Sequence, residues 1–235
     1  MFSVLIPTLQ RSAMLRPLLD ELRASELVQQ ILLVNNSGRP LDVDLPDVDV
    51  IDPGHNIYVN PAWNLGASLA TQPRLAILND DLVLPRAVLP VVADRLDRGA
   101  GLIGLHKNVY RDGGEFRPRT ESAYIRRMGF GCAMFLDTDS YVPIPEEMLI
   151  WCGDDWLFRQ QRRRNYVLTG VSLGEDRSVS SGSPEFHDLK WRDYEIFHER
   201  FARNHYQRRH PFGYAAERVT AALRHRLGLP AWGDR

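Results

Sequence analysis

Residues 1–105 alternate between short apolar runs and segments with helical periodicity, and this pattern constrains the fold more than any other feature. Four apolar runs predict buried strands, at residues 2–6, 31–34, 48–51 and 75–78. Leucines from Leu15 to Leu22 recur at helical spacing, and a second helix is predicted over Ala62–Ala70 with Asn60 as its N-cap. Strands joined by crossovers of this length form a mostly parallel sheet with helices on both faces.

Polar clusters follow three of the predicted strands, at residues 8–11, 35–37 and 79–81. In open sheets of this kind, ligands bind beyond the carboxyl ends of the strands, so the clusters predict a binding site at one edge. Asn79-Asp80-Asp81 places two adjacent carboxylates there, and hard divalent cations such as Mg²⁺ and Mn²⁺ prefer oxygen ligands. A turn that caps the next helix is an equally good interpretation of this tripeptide.

The rest of the chain is less regular. We predict a strand at 102–105, a helix at 154–162, a loop at 174–185, an amphipathic segment at 191–203 and a final helix at 214–227. The helix at 154 begins with Asp154 and Asp155. Negative side chains at a helix N-terminus stabilise the helix, so this pair has a purely structural interpretation as well as a functional one. We expect one domain over 1–205, with halves 1–105 and 106–205, followed by a basic amphipathic helical tail at 206–235.

Composition excludes several classes of protein. Hydrophobic residues make up 44% and charged residues 25% of the chain, which argues against a disordered or collagen-like protein. Two cysteines, Cys132 and Cys152, are too few for a disulfide framework, so we expect a reducing, cytoplasmic location. No apolar run approaches the about 18 residues that a membrane-spanning helix needs.

The C-terminal charge is distinct from that of the rest of the chain. Residues 200–235 carry eight arginines against Glu217 and Asp234. The tail therefore has two interpretations. It packs on its own domain, or it docks on an anionic membrane surface as a basic amphipathic helix, at the inner face of the membrane.

Four segments in order resemble glycosyltransferase family 2, whose members have the GT-A fold. They are FSVLIPTLQR, then ILLVNNSG, then HNIYVNPAWNLGASLA with LAILNDDLVLP, and finally GFGCAMFLDTDSY with IWCGDDWLFRQQRR. The resemblance implies a single GT-A (Rossmann-like) α/β domain with a C-terminal helical extension. It also implies a metal-dependent inverting glycosyltransferase whose donor is a nucleoside-diphosphate sugar, most commonly a UDP-sugar. The acceptor would be a hydroxyl on a glycan, a lipid-linked glycan, a protein or a modified nucleobase.

The resemblance assigns roles to individual positions in this sequence. The donor-binding positions are Pro7, Thr8, Arg11, Asn35, Asn64, Asn79 and Asp80. Asp155 matches the general base, and Asp154 stands beside it where relatives carry glutamate. Gly131 and Trp151 lie on the acceptor side, and core packing is an equally good interpretation of Trp151.

The metal site is the least complete part of the resemblance. The cofactor would be Mn²⁺ or Mg²⁺, with Asp81 as the main ligand and Asn79 in place of the usual first aspartate. Relatives carry a histidine after the acidic pair, and here His187, Glu175 or Asp176 would have to replace it. These departures keep open a second class of function, a catalytically inactive GT-A-like module that binds nucleotide or glycan. A nucleotidyltransferase is disfavoured because no glycine-rich phosphate loop follows the first strand.

Overall fold

A computed structural model of the chain describes residues 1–41, 45–106, 109, 116–124, 126, 129–173, 186–201, 219, 223 and 226. Its strands are β1 Phe2–Thr8, β2 Val28–Asn35, β3 Asp49–Ile51, β4 Arg74–Leu78, β5 Ile103–Leu105, β6 Arg119–Ala123, β7 Ala133–Asp137 and β8 Asn165–Thr169. Its α-helices within the described residues are α1 Leu15–Arg23, α2 Val59–Leu69, α3 Val88–Asp97, α4 Gly153–Gln160 and α5 His187–Phe201.

The strands form one eight-stranded sheet in the order β3-β2-β1-β4-β7-β5-β8-β6. The first four strands are parallel to one another, as is β5 to β8. Strand β7 runs antiparallel to both β4 and β5, and β6 runs antiparallel to β8. The predicted α/β fold is therefore confirmed, and every antiparallel pair includes β6 or β7, two strands of the second half.

Sequence periodicity found the strands of the first half and missed three of the second. Strands β6, β7 and β8 were not predicted. Strand β6 reads RTESA and is mostly solvent-exposed, so no apolar run marks it. Strand β7 follows a 3₁₀ turn at Phe130–Cys132, and the apolar residues of turn and strand run together in the sequence.

The predicted start of α2 was wrong. The helix begins at Val59, and its N-cap is Tyr58, whose φ of 68° lies in the left-handed region. Asn60 lies within the first turn and is fully buried. Its side chain donates to backbone carbonyls of another segment, at Met148 and Trp151, and so is not used as a cap.

The sheet separates two layers of core. Along β1, Val4 and Ile6 pack into one layer while Leu5 packs into the other, as the alternation of a strand requires. The first layer contains the apolar faces of α1 and α3, and the second contains those of α2, α4 and α5. Helices therefore cover both faces of the sheet, as predicted.

Most of the predicted C-terminal tail lies outside the described residues, as does all of the predicted loop at 174–185. Within the predicted final helix, Val219, Leu223 and Arg226 are described, and all three are helical and exposed. The division of the chain at residues 105 and 205 stays a prediction. No helix in the described part of the chain is long and apolar enough to cross a bilayer.

Candidate functional site

The parallel strands align four polar residues in a row across one edge of the sheet. Thr8 pairs with Asn35 in the β1–β2 register. The β2–β3 register pairs Val34 with Ile51, so the next residue along, Asp52, follows opposite Asn35. Leu5 pairs with Ile77 across β1 and β4, and the same offset brings Asp80 opposite Thr8. We call Asp52, Asn35, Thr8 and Asp80 the strand-end row.

Side-chain hydrogen bonds connect this row. The hydroxyl of Thr8 donates to Oδ2 of Asp80 at 2.5 Å, and the backbone N–H of Gln10 donates to the same hydroxyl at 2.9 Å. Burial raises the pKa of the Asp80 carboxyl, and the hydrogen bond from Thr8 opposes that rise. Thr8 is itself buried. It therefore fixes the position of Asp80 relative to β1 and favours its ionised form.

Asn35 is fully buried, and its amide shapes the loop after β2. Its Nδ2 donates to the carbonyl of Arg39 at 2.6 Å and to Oδ2 of Asp52 at 3.4 Å. Its Oδ1 accepts hydrogen bonds from Gln10 Nε2 and from the Ser37 hydroxyl. Asn35 thus connects the loops that follow β1, β2 and β3.

The other predicted donor-binding positions have different surroundings. Pro7 is buried inside β1 opposite Val34, and Arg11 is exposed in the loop that follows. Asn64 lies on α2 and holds the segment before α4. Its Nδ2 donates to the carbonyl of Ile144 at 2.8 Å, and its Oδ1 accepts from the Tyr141 hydroxyl at 2.8 Å.

The acidic pair, Asp154 and Asp155, lies in the first turn of α4. The 3₁₀ turn at Phe130–Cys132 connects it to the strand-end edge. Asn79, directly after β4, donates its backbone N–H to the carbonyl of Cys132 at 2.9 Å. A Cβ on the adjacent Gly131 would lie 2.9 Å from Oδ2 of Asp154 and 3.0 Å from its Cβ. A larger residue at 131 would force Asp154 to shift. This close contact, together with the hydrogen bond between Asn79 and Cys132, brings predicted residues from both halves of the chain together.

Arg126 binds both carboxylates of the acidic pair. Its Nε donates to Oδ1 of Asp155 at 2.5 Å, and its Nη1 donates to Oδ2 of Asp154 at 3.1 Å. The three side chains are between 13% and 27% exposed, so water screens these contacts weakly. Because one guanidinium group donates to both carboxylates, it fixes the geometry of the two acids relative to each other.

Burial and charge act in opposite directions in this cluster. Burial raises the pKa of Asp154, the positive charge of Arg126 lowers it, and the negative charge of Asp155 raises it again. Burial alone would lower the pKa of Arg126, but the two carboxylates outweigh it and raise that pKa instead. Burial also raises the pKa of the neighbouring Cys152 thiol, which therefore stays neutral. A neutral thiol is a poor nucleophile, and this agrees with a site built on carboxylates.

Trp151 precedes the acidic pair and is half-buried. The ammonium group of Lys190 on α5 lies 4.6 Å from the centroid of its ring. One face of the indole is therefore occupied by a cation from the same chain. A role for Trp151 or Gly131 in acceptor binding stays a prediction.

The residues after β4 fit a divalent cation that completes its shell with a substrate. Asn79, Asp80 and Asp81 are half-buried and offer amide and carboxylate oxygens. Mg²⁺ is commonly held by one or two protein carboxylates together with phosphates and water. Among the described residues, no three His, Cys, Asp or Glu side chains gather as a metal site. His187 is the first residue of α5, and its side chain lies outside the described structure. Glu175 and Asp176 lie outside the described residues altogether.

Sequence reasoning missed Asp52 and Arg126, and it placed Gln10 in the polar cluster at 8–11 without giving it a role of its own. Asp52 directly follows the predicted strand at 48–51, and its position as a polar residue after a strand was the available signal. Gln10 has a φ of 56° and reaches across to the loop after β2. Arg126 lies shortly before the segment GFGCAMFLDTDSY, and no local pattern distinguishes it from the other arginines of the chain.

Comparison with models of known protein families identifies the family of this chain. Residues 3–156 match the model of glycosyl transferase family 2. The chain belongs to glycosyl transferase family 2. The matched region contains the strand-end row and the acidic pair, and it confirms the resemblance of the sequence motifs. A comparison with curated proteins finds no match.

Solved structures of similar fold include those of TarS from S. aureus. TarS 1–349, alone and in complex with UDP, is 15% identical with a TM-score of 0.51 over 73% of this chain and 59% of that one. TarS 1–349 in complex with UDP-GlcNAc is 15% identical with a TM-score of 0.50 over 80% of this chain and 64% of that one. At this identity the likeness shows the fold. The chain thus covers less than two thirds of the TarS structures it matches.

Proposed function

We propose that this protein is a metal-dependent inverting glycosyltransferase that moves a sugar from a nucleoside-diphosphate sugar to a hydroxyl acceptor. The observation that carries the proposal is the convergence of two separate groups of carboxylates at one edge of the sheet. Asp80 and Asp81 follow β4, while Asp154 and Asp155 reach the same edge through Gly131. Family membership and the fold shared with structures bound to UDP and UDP-GlcNAc support a UDP-sugar as donor.

The two groups suit the two halves of a glycosyl transfer. In an inverting transfer, the acceptor oxygen bonds to the anomeric carbon while the bond from that carbon to the diphosphate breaks. The acceptor proton goes to a general base, and Asp155 has this role in the proposal. The nucleoside diphosphate leaves with the bonding electrons. A Mn²⁺ or Mg²⁺ ion held by Asp81 and Asn79 would supply positive charge to stabilise that leaving group.

Individual residues take separate parts in this reaction. Asp81 and Asn79 would hold the cation, and the strand-end row would bind the nucleotide and diphosphate. Arg126 would hold Asp155 in a fixed orientation before the acceptor arrives, because its Nε donates a hydrogen bond to Oδ1 of that carboxylate. Glycan, lipid-linked glycan, protein and modified nucleobase all remain candidate acceptors, and docking of the tail on anionic membrane remains a prediction.

Donor turnover with and without metal tests this proposal, since sugar transfer to water needs no knowledge of the acceptor. Wild-type protein should bind UDP-GlcNAc or another UDP-sugar in the presence of Mn²⁺, and it should release UDP slowly. Asp81→Ala should abolish both the metal-dependent binding, measured by isothermal titration, and the release. Asp47→Ala, which changes an exposed aspartate, should behave as wild type.

Two results would contradict the proposal. Metal-dependent donor affinity that is unchanged in Asp81→Ala would remove Asp81 from the metal site. Tight donor binding without any turnover, in water or with hydroxyl acceptors, would favour the alternative function, a binding module of the same fold.

A further inference from the structure

The segment that leads into the acidic pair, residues 148–151, is held through its backbone amides by one buried carboxylate. Asp193 on α5 is fully buried. Its Oδ2 accepts hydrogen bonds from the backbone N–H groups of Leu149, Ile150 and Trp151 at 3.1, 2.7 and 2.8 Å, and its Oδ1 accepts from Leu149 at 3.0 Å. Three consecutive amides directed at one carboxylate are a strong, charge-assisted arrangement.

The same segment is held through its carbonyls by Asn60. The Nδ2 of Asn60 donates to the carbonyls of Met148 at 3.2 Å and Trp151 at 3.1 Å. Its backbone N–H donates to the carbonyl of Leu149 at 2.9 Å. We call Asn60 and Asp193 the clamp on residues 148–151. One member lies on α2 and the other on α5, so two helices far apart in sequence fix a single loop.

The clamp acts at the point where the chain turns into α4. Cys152 has a φ of 62°, in the left-handed region that is strained for a non-glycine residue. Gly153 packs so closely on α2 that a Cβ there would lie 2.1 Å from Oδ1 of Asn60. Asp154 and Asp155 follow directly. The position and orientation of these two carboxylates at the start of α4 therefore depend on the contacts that Asn60 and Asp193 make with the preceding loop.

We propose that Asp193 is a positioning residue that, with Asn60, sets the placement of the acidic pair and of Trp151. Helix α5 lies beyond the region that matches the family, residues 3–156, so the proposal makes a separate helix part of the site. The catalytic consequence rests on the proposed function, because it assumes that Asp155 is the base. The structural consequence, a fixed loop at 148–151, does not depend on that function.

The requirement for a carboxylate at 193 follows from the number of donors. An ionised carboxylate is an acceptor at both oxygens, whereas an asparagine has one acceptor oxygen and two N–H donors. Asp193→Asn keeps the shape of the side chain but leaves at least one of the three amides facing a weaker acceptor or another donor. The matched control is Asp188→Asn, which makes the same change at an exposed position of the same helix.

Hydrogen exchange of the peptide that covers 148–152 tests the clamp directly. In wild-type protein and in Asp188→Asn, the amides of Leu149, Ile150 and Trp151 should exchange slowly. In Asp193→Asn they should exchange at least about 10-fold faster, the factor that corresponds to 1.4 kcal/mol of lost hydrogen bonding. Amides of β1 should be unchanged. Unchanged exchange at 148–152, or an equal increase throughout β1, would overturn the proposal.

Kinetics of UDP release from UDP-GlcNAc with Mn²⁺ tests the catalytic consequence. Asp193→Asn should lower kcat by about 10- to 100-fold, since a displacement near 1 Å at a catalytic group has an effect of this size. The dissociation constant of the donor should stay within about twofold, because the strand-end row is untouched. A normal kcat despite faster exchange at 148–152 would overturn the positioning role. If wild-type protein releases no UDP, the proposed function fails, and the exchange experiment still decides whether the clamp exists.

Discussion

The strand-end row and the acidic pair lie at one edge of the sheet, yet different kinds of contact position them. The row follows from backbone register, because the pairing of the parallel strands brings the residues at their carboxyl ends to one edge of the sheet. The acidic pair depends on individual side chains, namely Arg126 on the carboxylates and the clamp on the preceding loop. A site of this construction separates two tasks. Changes in the row should alter donor affinity, and changes around the pair should alter turnover.

The largest effect on the side of the acidic pair is expected for Asp155→Asn. Asparagine is nearly isosteric and still accepts a hydrogen bond from Arg126, but it cannot take up the acceptor proton. We expect kcat for UDP release to fall by about 100-fold or more, in line with general-base contributions, with donor affinity nearly unchanged. Isothermal titration and steady-state kinetics measure the two quantities.

Two further variants make this result specific. Asp139→Asn changes an exposed aspartate and should leave both quantities at wild-type values. If Asp154→Asn shows the large loss and Asp155→Asn does not, the base is Asp154. A loss of donor affinity in Asp155→Asn comparable to the loss in kcat would show that the two tasks are not separate.

A smaller effect, dependent on pH, is expected for Arg126→Gln. Arg126 lowers the pKa of Asp154, which burial has already raised, so its removal should raise that pKa further. The fraction of the pair that is fully ionised at a given acid pH then falls. We expect the acid limb of the kcat profile to move to higher pH, with the rate recovering as the pH rises.

The charged surroundings of the pair make this test interpretable. Asp154 faces Arg126 and Asp155, and the nearby Cys152 thiol is neutral because burial raises its pKa. The control is Arg119→Gln, which removes an exposed arginine paired with Glu121. An unchanged acid limb in Arg126→Gln would mean that Arg126 only holds the acidic pair in place and has no effect on the pH dependence.

The same contrast explains what the sequence could predict. Thr8, Asn35, Asn79 and Asp80 were identified because each follows an apolar run, and the fold rule for parallel sheets brings such positions together. Asp154 and Asp155 were identified through a family motif. Asn60 was assigned as a helix cap, and Asp193 and Arg126 were not singled out at all. Their partners are 28 to 91 residues away or on other elements, so no local periodicity records these contacts.

The smallest effect is expected for Thr8→Val, and it tests the strand-end row alone. Valine keeps the shape of threonine but removes the hydroxyl that donates to Asp80. A hydrogen bond to a charged group contributes about 1.5–3 kcal/mol when both partners are fixed, and partial exposure of Asp80 reduces this. We therefore expect metal-dependent affinity for UDP-GlcNAc to fall by roughly 3- to 10-fold, with kcat nearly unchanged.

Thr169→Val provides the matched control for this variant. Thr169 ends β8 as Thr8 ends β1, is also buried, and also donates its hydroxyl to a carboxylate, Oε1 of Glu121, at 3.2 Å. Loss of the Thr169 hydroxyl should leave donor affinity unchanged, because β8 lies beyond β7 and β5 from the row. Equal losses of donor affinity in both variants would point to general destabilisation. A fall in kcat in Thr8→Val at normal donor affinity would contradict the separation of tasks, since the row would then act on the chemical step itself.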